Sequence, residues 1–217
     1  RRRSSRVPAW SAERQRACCP QAAMDFLIGF VGKDYVMLAA DTNAARSIMV
    51  INQDLDKIKV MDSHKLLAVG GDPADCIQEP DYFQKNLALH TLRTGMPLST
   101  HAFANYMRGE KAYNLRRGMS AVDMLLGGWD EDAGPSLYFL DYLSSMQKLD
   151  KASHGYGGFF VNGLLDMHWK PDMTEAEGMD LMQMCFKEVQ TRFMISMPKF
   201  SIKIVDRQGT RTVTPAS

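Results

Sequence analysis

Two ionisable residues stand at the edges of apolar runs in this chain. Asp41 closes the run Leu38-Ala39-Ala40-Asp41, and Lys57 follows Asp54-Leu55-Asp56 at the start of the next one. A carboxylate carried toward a core by such a run needs a hydrogen-bond or charge partner, and Lys57 is the natural candidate. An acid–lysine pair of this kind either tunes the proton affinity of a neighbouring group or holds two strands together. The plainer reading, a structural ion pair or two solvated strand ends, stands beside the chemical one.

Other chemistry finds little support. His64, His90, His101, His154 and His168 show no metal-ligand spacing, and there is no H-E-x-x-H or Cys/His cluster. Each histidine reads as a surface or packed residue, so no metal is expected. Gly155-Tyr156-Gly157-Gly158 suggests a phosphate loop only superficially, because Phe160 fills the third glycine position and no Lys-Ser/Thr follows. A tight turn with close backbone approach accounts for it better, and no cofactor is expected.

The surrounding pattern defines what must position these residues. Residues 26–31 and 35–40 are two short apolar runs around Gly32-Lys33-Asp34, a hairpin apolar on both faces and therefore covered on both. A second pair spans 57–61 and 65–69. Asp72-Pro73 then reads as a helix start, with the helical pattern running to Thr94 before Gly95 and a kink or break expected near Pro80. Ser99 opens another helical stretch, closed by Gly118, in which Phe103, Tyr106 and Met107 share a face.

Strands return at 122–129, 136–142 and 146–149, then a helix leads up to Trp169. Thr174-Glu175-Ala176-Glu177 is a capping box for a helix reaching Phe193. Strands at 200–206 and 210–213 close the pattern. Helices arriving in pairs between groups of strands do not fit a parallel βαβ sheet. Two antiparallel sheets stacked face to face with helices outside fit better, an α+β protein of four layers.

The chain has 217 residues and a formal net charge of +1, which argues against a dedicated nucleic-acid surface. No apolar run is long enough to span a bilayer. Residues 1–23 stand apart: Arg1, Arg2, Arg3, Arg6, Arg14 and Arg16 face a single Glu13. This basic extension reads as a propeptide or an over-extended gene model, with the native chain starting at or near Met24. Cys18 and Cys19 lie in it, Cys76 and Cys185 fall in helical patterns, and none shows C-x-x-C spacing, which points to a reduced intracellular protein. The 16 methionines scatter along apolar faces as core filler.

Several segments together match a family. Met24-Asp25-Phe26-Leu27-Ile28-Gly29, the Ala39-Ala40-Asp41 strand end, Asp56-Lys57-Ile58, Val69-Gly70-Gly71-Asp72 and Ala152-Ser153-His154-Gly155-Tyr156-Gly157 resemble the proteasome beta subunits. Leu126-Gly127-Gly128-Trp129-Asp130 and the segment from Gly134 to Leu143 extend the likeness, which runs from Met24 to about Val213 and looks most like the non-catalytic beta-4 kind. The resemblance implies a four-layer αββα sandwich of the N-terminal-nucleophile hydrolase type. Active members of that family use a threonine at the start of the first strand, whose hydroxyl attacks while its own amine serves as base. Asp41 and Lys57 fall at the two positions that tune this amine.

On that resemblance, Met24 occupies the place of the threonine, and a thioether has no proton to give and no anionic form. Tyr156 stands where active members carry a supporting serine, Phe193 about where they carry a second acid, and Ser196 matches a supporting serine followed by unusual neighbours. The expectation is a non-catalytic, structural beta subunit of the 20S core particle in the cytoplasm and nucleus. Its expected partners are other proteasome alpha and beta subunits, with no nucleic acid, membrane or small-molecule ligand. One rival is an active subunit using Cys19, which would emerge about 16 Å out of register with Asp41 and Lys57. The other is a free-standing binding protein of the same fold, which would migrate as a small monomer.

Overall fold

The computed structural model describes residues 25–46, 49–194 and 196–213. The basic extension and Met24 lie outside the described residues. In chain order the elements are β1 (Phe26–Val31), β2 (Tyr35–Asp41), β3 (Ala44–Arg46), β4 (Met49–Asn52), β5 (Ile58–Asp62) and β6 (Lys65–Gly71), followed by α1 (Asp75–Thr94) and α2 (Thr100–Asn114). Then come β7 (Val122–Asp130), β8 (Gly134–Leu140), β9 (Met146–Leu149), β10 (Lys151–Gly155), α3 (Gly158–His168), α4 (Glu175–Arg192), β11 (Phe200–Asp206) and β12 (Gly209–Val213).

Alternation along the strands explains why they are apolar throughout. Phe26, Ile28 and Phe30 on one face of β1 pack with Val161 and Leu165 of α3 and Leu181, Cys185 and Val189 of α4. Leu27 points the other way, with Val36, Leu38 and Ala40 of β2, and meets Ile58, Leu66, Ala68, Leu125 and Leu137 of the second sheet. That second sheet buries Leu67, Val69, Met124 and Leu126 on its far side against Phe83, Phe103 and Met107 of α1 and α2. The result is the four-layer αββα sandwich. The first sheet has the order β10-β1-β2-β11-β12, the second β5-β6-β7-β8-β9, with every pairing antiparallel.

Several boundaries differ from those read in the sequence. The first helix starts at Asp75, not at Asp72-Pro73: Asp72 instead forms a side-chain turn, accepting from the Ala74 N–H at 3.1 Å. Pro80 does not break this helix. It is buried inside the first half of α1, where the packing of Phe83 and Leu87 outweighs one lost backbone donor. The second helix ends at Asn114 rather than Gly118. Ser99 caps it as expected, accepting from Ala102 N, and the Thr174–Glu177 capping box forms at the head of α4.

Three strands have no counterpart in the sequence reading. The β3–β4 pair forms a separate two-stranded sheet. Lys151–Gly155 is an edge strand pairing with β1, not part of the approach to a helix. This edge strand brings His154 into the space between the sheets. Its ring stacks on Phe139 at 4.0 Å, and Nε2 lies 3.2 Å from the Met124 carbonyl oxygen.

Burial pushes the His154 imidazole below its ordinary pKa, against the opposing pull of Asp123 and the Met124 carbonyl. The folded state therefore binds fewer protons than the unfolded one, whose histidine titrates near ~6.5. The stabilising contribution is complete above that value and is lost as pH falls toward the folded one. Urea unfolding of wild type should show stability dropping below about pH 6.5, and His154→Gln should flatten that part of the curve. Equal slopes in the two proteins would remove His154 as the cause.

Candidate functional site

The site forms where the first strand begins. Asp41, the last residue of β2, accepts from the Phe26 N–H at 2.9 Å and from the Asn43 N–H at 3.1 Å. Lys57, just before β5 in the other sheet, donates to both Asp41 oxygens at 2.8 and 2.9 Å. Both are removed from solvent, Lys57 being 5% exposed and Asp41 1%. The structure thus joins the two residues that the sequence paired, and the bond crosses from one sheet to the other.

A third member was not anticipated. The Asp25 carboxylate places Oδ1 2.5 Å from Lys57 Nζ and Oδ2 2.8 Å from the Gly71 N–H. Met24 lies outside the described residues, so the side chain seen to reach the lysine belongs to the residue after it. The available signal was stoichiometric: an ammonium has three protons, and one strand-end carboxylate rarely satisfies all of them.

Backbone geometry holds Asp25 in place. Gly155 has φ +78°, and a Cβ there would sit 1.9 Å from the Asp25 carbonyl oxygen. At Gly157 a Cβ would meet the Phe26 ring at 2.4 Å. The Gly155-Tyr156-Gly157 turn therefore lies directly over the start of β1, as a tight turn with close backbone approach.

The other expected positions fall around this cluster rather than in it. The Ser196 carbonyl accepts from Asn43 Nδ2 at 2.9 Å, one link removed from Asp41. Tyr156 is exposed at the tip of its turn, its ring 6.5 Å from that of Phe159. Phe193, just past the end of α4, packs edge-on against Phe160 at 6.2 Å. Among the described residues, neither Tyr156 nor Phe193 is hydrogen-bonded to Lys57, Asp25 or Asp41.

Electrostatics make the cluster self-contained. Burial works against the Lys57 charge, but Asp25 and Asp41 outweigh it and hold the ammonium above the ordinary lysine pKa. Burial likewise works to raise the Asp41 pKa, opposed by Lys57 and the Phe26 N–H. The three Lys57 protons meet three carboxylate oxygens, so the lysine itself is not a free base. The half-buried Cys76 thiol feels the same charges. Burial first, then Asp25, pushes it up to about 12, which keeps it protonated and inert.

Among the described residues no group of three or more His, Cys, Asp or Glu side chains is placed to hold a metal ion. No described helix is long and apolar enough to cross a membrane.

Two antiparallel sheets between paired helices, with an acid–lysine pair at the head of the first strand, define the architecture of an N-terminal-nucleophile hydrolase. Comparison with known proteins agrees: the family model described as "Proteasome subunit" matches residues 26–205. The chain belongs to the proteasome beta subunit family. It is 45% identical over 188 residues to proteasome subunit beta type-2 of Oryza sativa subsp. japonica, an alignment covering 87% of this chain and 89% of the relative. It is 40% identical over 193 residues to the beta type-2 subunit of Dictyostelium discoideum, covering 88% and 97%. Against proteasome subunit beta type-4 of Saccharomyces cerevisiae the identity is 36% over 192 residues, covering 88% and 97%.

Proposed function

We propose that this chain is a non-catalytic, structural beta subunit of the 20S proteasome core particle. Its work is to help enclose the chamber in which other subunits cut protein substrates, through contacts with alpha and beta neighbours in the cytoplasm and nucleus. The observation that carries this reading is the saturation of Lys57 by Asp25 and Asp41. Catalysis by this fold needs a hydroxyl or thiol beside the lysine and a free amine as base. Neither Met24 nor Asp25 has a hydroxyl or thiol, and the nearby Cys76 is held protonated.

The surface supports an assembled state. Met49 and Ile51 on β4 are 70% and 72% exposed, and Leu92 and Met96 lie open at the end of α1. Phe159 and Met167 do the same along α3. On β4 the neighbouring Met49, Val50 and Ile51 are all left in water, and adjoining exposed apolar side chains of this kind support burial against a partner.

The test is an activity probe that reacts covalently with the nucleophile of active subunits, applied to intact particles. Other beta subunits should be labelled while the band of this chain stays dark. Labelling mapped to a residue of this chain, and blocked by a competing substrate, would overturn the non-catalytic assignment. Absence of the chain from large particles in fractionated extract would instead favour the free-standing binding protein.

A further inference from the structure

The two oxygens of Asp25 are held by two donors that the chain supplies from separate places. Lys57 Nζ approaches Oδ1 at 2.5 Å from the edge of β5, and the Gly71 N–H approaches Oδ2 at 2.8 Å from the end of β6. Neither donor belongs to β1, and each has an anchor besides Asp25. Lys57 is fixed by its bidentate contact with Asp41, and its own carbonyl accepts from the Val69 N–H at 3.0 Å. Gly71 is fixed from the other side, in register with Val122 of β7. Its φ is +142°, and a Cβ there would meet the Ala121 carbonyl oxygen at 2.1 Å.

A fixed cation and a fixed amide N–H converging on two oxygens of one carboxylate make a binding site for that group. We propose that Lys57 Nζ and the Gly71 N–H form a carboxylate-binding cradle that Asp25 fills from within the chain, and that takes a small free carboxylate once the Asp25 side chain is removed. This deepens, and rests on, the reading of the site as non-catalytic. In a chamber where every cut creates a new C-terminal carboxylate, the internal ligand keeps the cradle closed to products. The Asp25 side chain is 20% exposed, so the cradle borders solvent and a small anion can reach it.

The experiment supplies back the fragment that a mutation removes. Asp25→Gly deletes the equivalent of acetate, and Asp25→Ala the equivalent of formate. Full-length chains with each change should melt several degrees below wild type. Acetate should restore most of the loss in Asp25→Gly, whereas acetamide, and chloride at equal ionic strength, should not. Formate should outperform acetate in Asp25→Ala, where the retained methyl group leaves less room. Adding Lys57→Met to either variant should abolish the response.

A variant too unstable to purify is read by refolding yield, expected to be higher in acetate than in acetamide. Equal effects of acetate on wild type and Asp25→Gly, or of acetate and acetamide on Asp25→Gly, would overturn the cradle. Probe labelling of the wild-type chain would sink the non-catalytic reading and leave the acetate result standing.

Discussion

A Lys57→Met chain should lose about 3–5 kcal/mol of stability at neutral pH, because the change strands two carboxylates instead of one. Asp25 and Asp41 converge on the same ammonium, and methionine of similar volume leaves them facing each other across an apolar stem. With Lys57 gone, the burial that works to raise the Asp41 pKa is far less opposed. An aspartate whose folded pKa lies above its unfolded value near ~3.9 binds extra protons when folded. Stability of the variant should therefore rise as pH falls from neutral through the raised folded value, approaching wild type toward the unfolded one.

Urea midpoints at several pH values, compared as differences from wild type so that His154 cancels, make the measurement. Adding Asp41→Asn to Lys57→Met should recover part of the loss, since an uncharged amide no longer requires the cation. A loss below ~1 kcal/mol, the range of exposed pairs, would show that the bond across the sheets contributes little. A loss unchanged by pH would show that the stranded carboxylates are not its cause.

What the sequence disclosed follows the same physics. Asp41 and Lys57 were legible because each stands at the edge of an apolar run, where a charge carried toward the core is costly enough to demand a partner. Asp25 sits just before its strand, at a position that reads equally well as a solvated end, and only the fold brings Gly71 and Lys57 to it. The capping box at Thr174 and the cap at Ser99 were legible because their bonds are local. The edge strand Lys151–Gly155 was not, since Ala152 and His154 are its buried residues and neither marks a strand. The β3–β4 pair was missed for the opposite reason: its apolar Met49-Val50-Ile51 faces water, so no burial pattern announces it. Pro80 misled because propensity is local, whereas the packing that carries α1 past it is tertiary.

Gly155→Ala should be among the most damaging single-methyl changes in the chain, and a comparison with Gly95→Ala isolates why. Both glycines have left-handed backbones, φ +78° and +72°. An added Cβ at Gly95 meets nothing within 4 Å, so alanine there should cost only the conformational penalty, about 1–2 kcal/mol. At Gly155 the same methyl would lie 1.9 Å from the Asp25 carbonyl oxygen and 2.8 Å from its carbonyl carbon. The colliding atoms are backbone, held in register by the Phe26–Gly155 pairing, so no rotamer change relieves them. The loss should exceed about 4 kcal/mol, or the chain start must move. If it moves, Asp25 leaves Lys57 and Gly71, and a double-mutant cycle between positions 25 and 57 should show its coupling gone in the Gly155→Ala background. Similar costs for the two alanine variants, with that coupling intact, would mean that the turn does not position Asp25 and that Lys57 and Gly71 alone hold it in place.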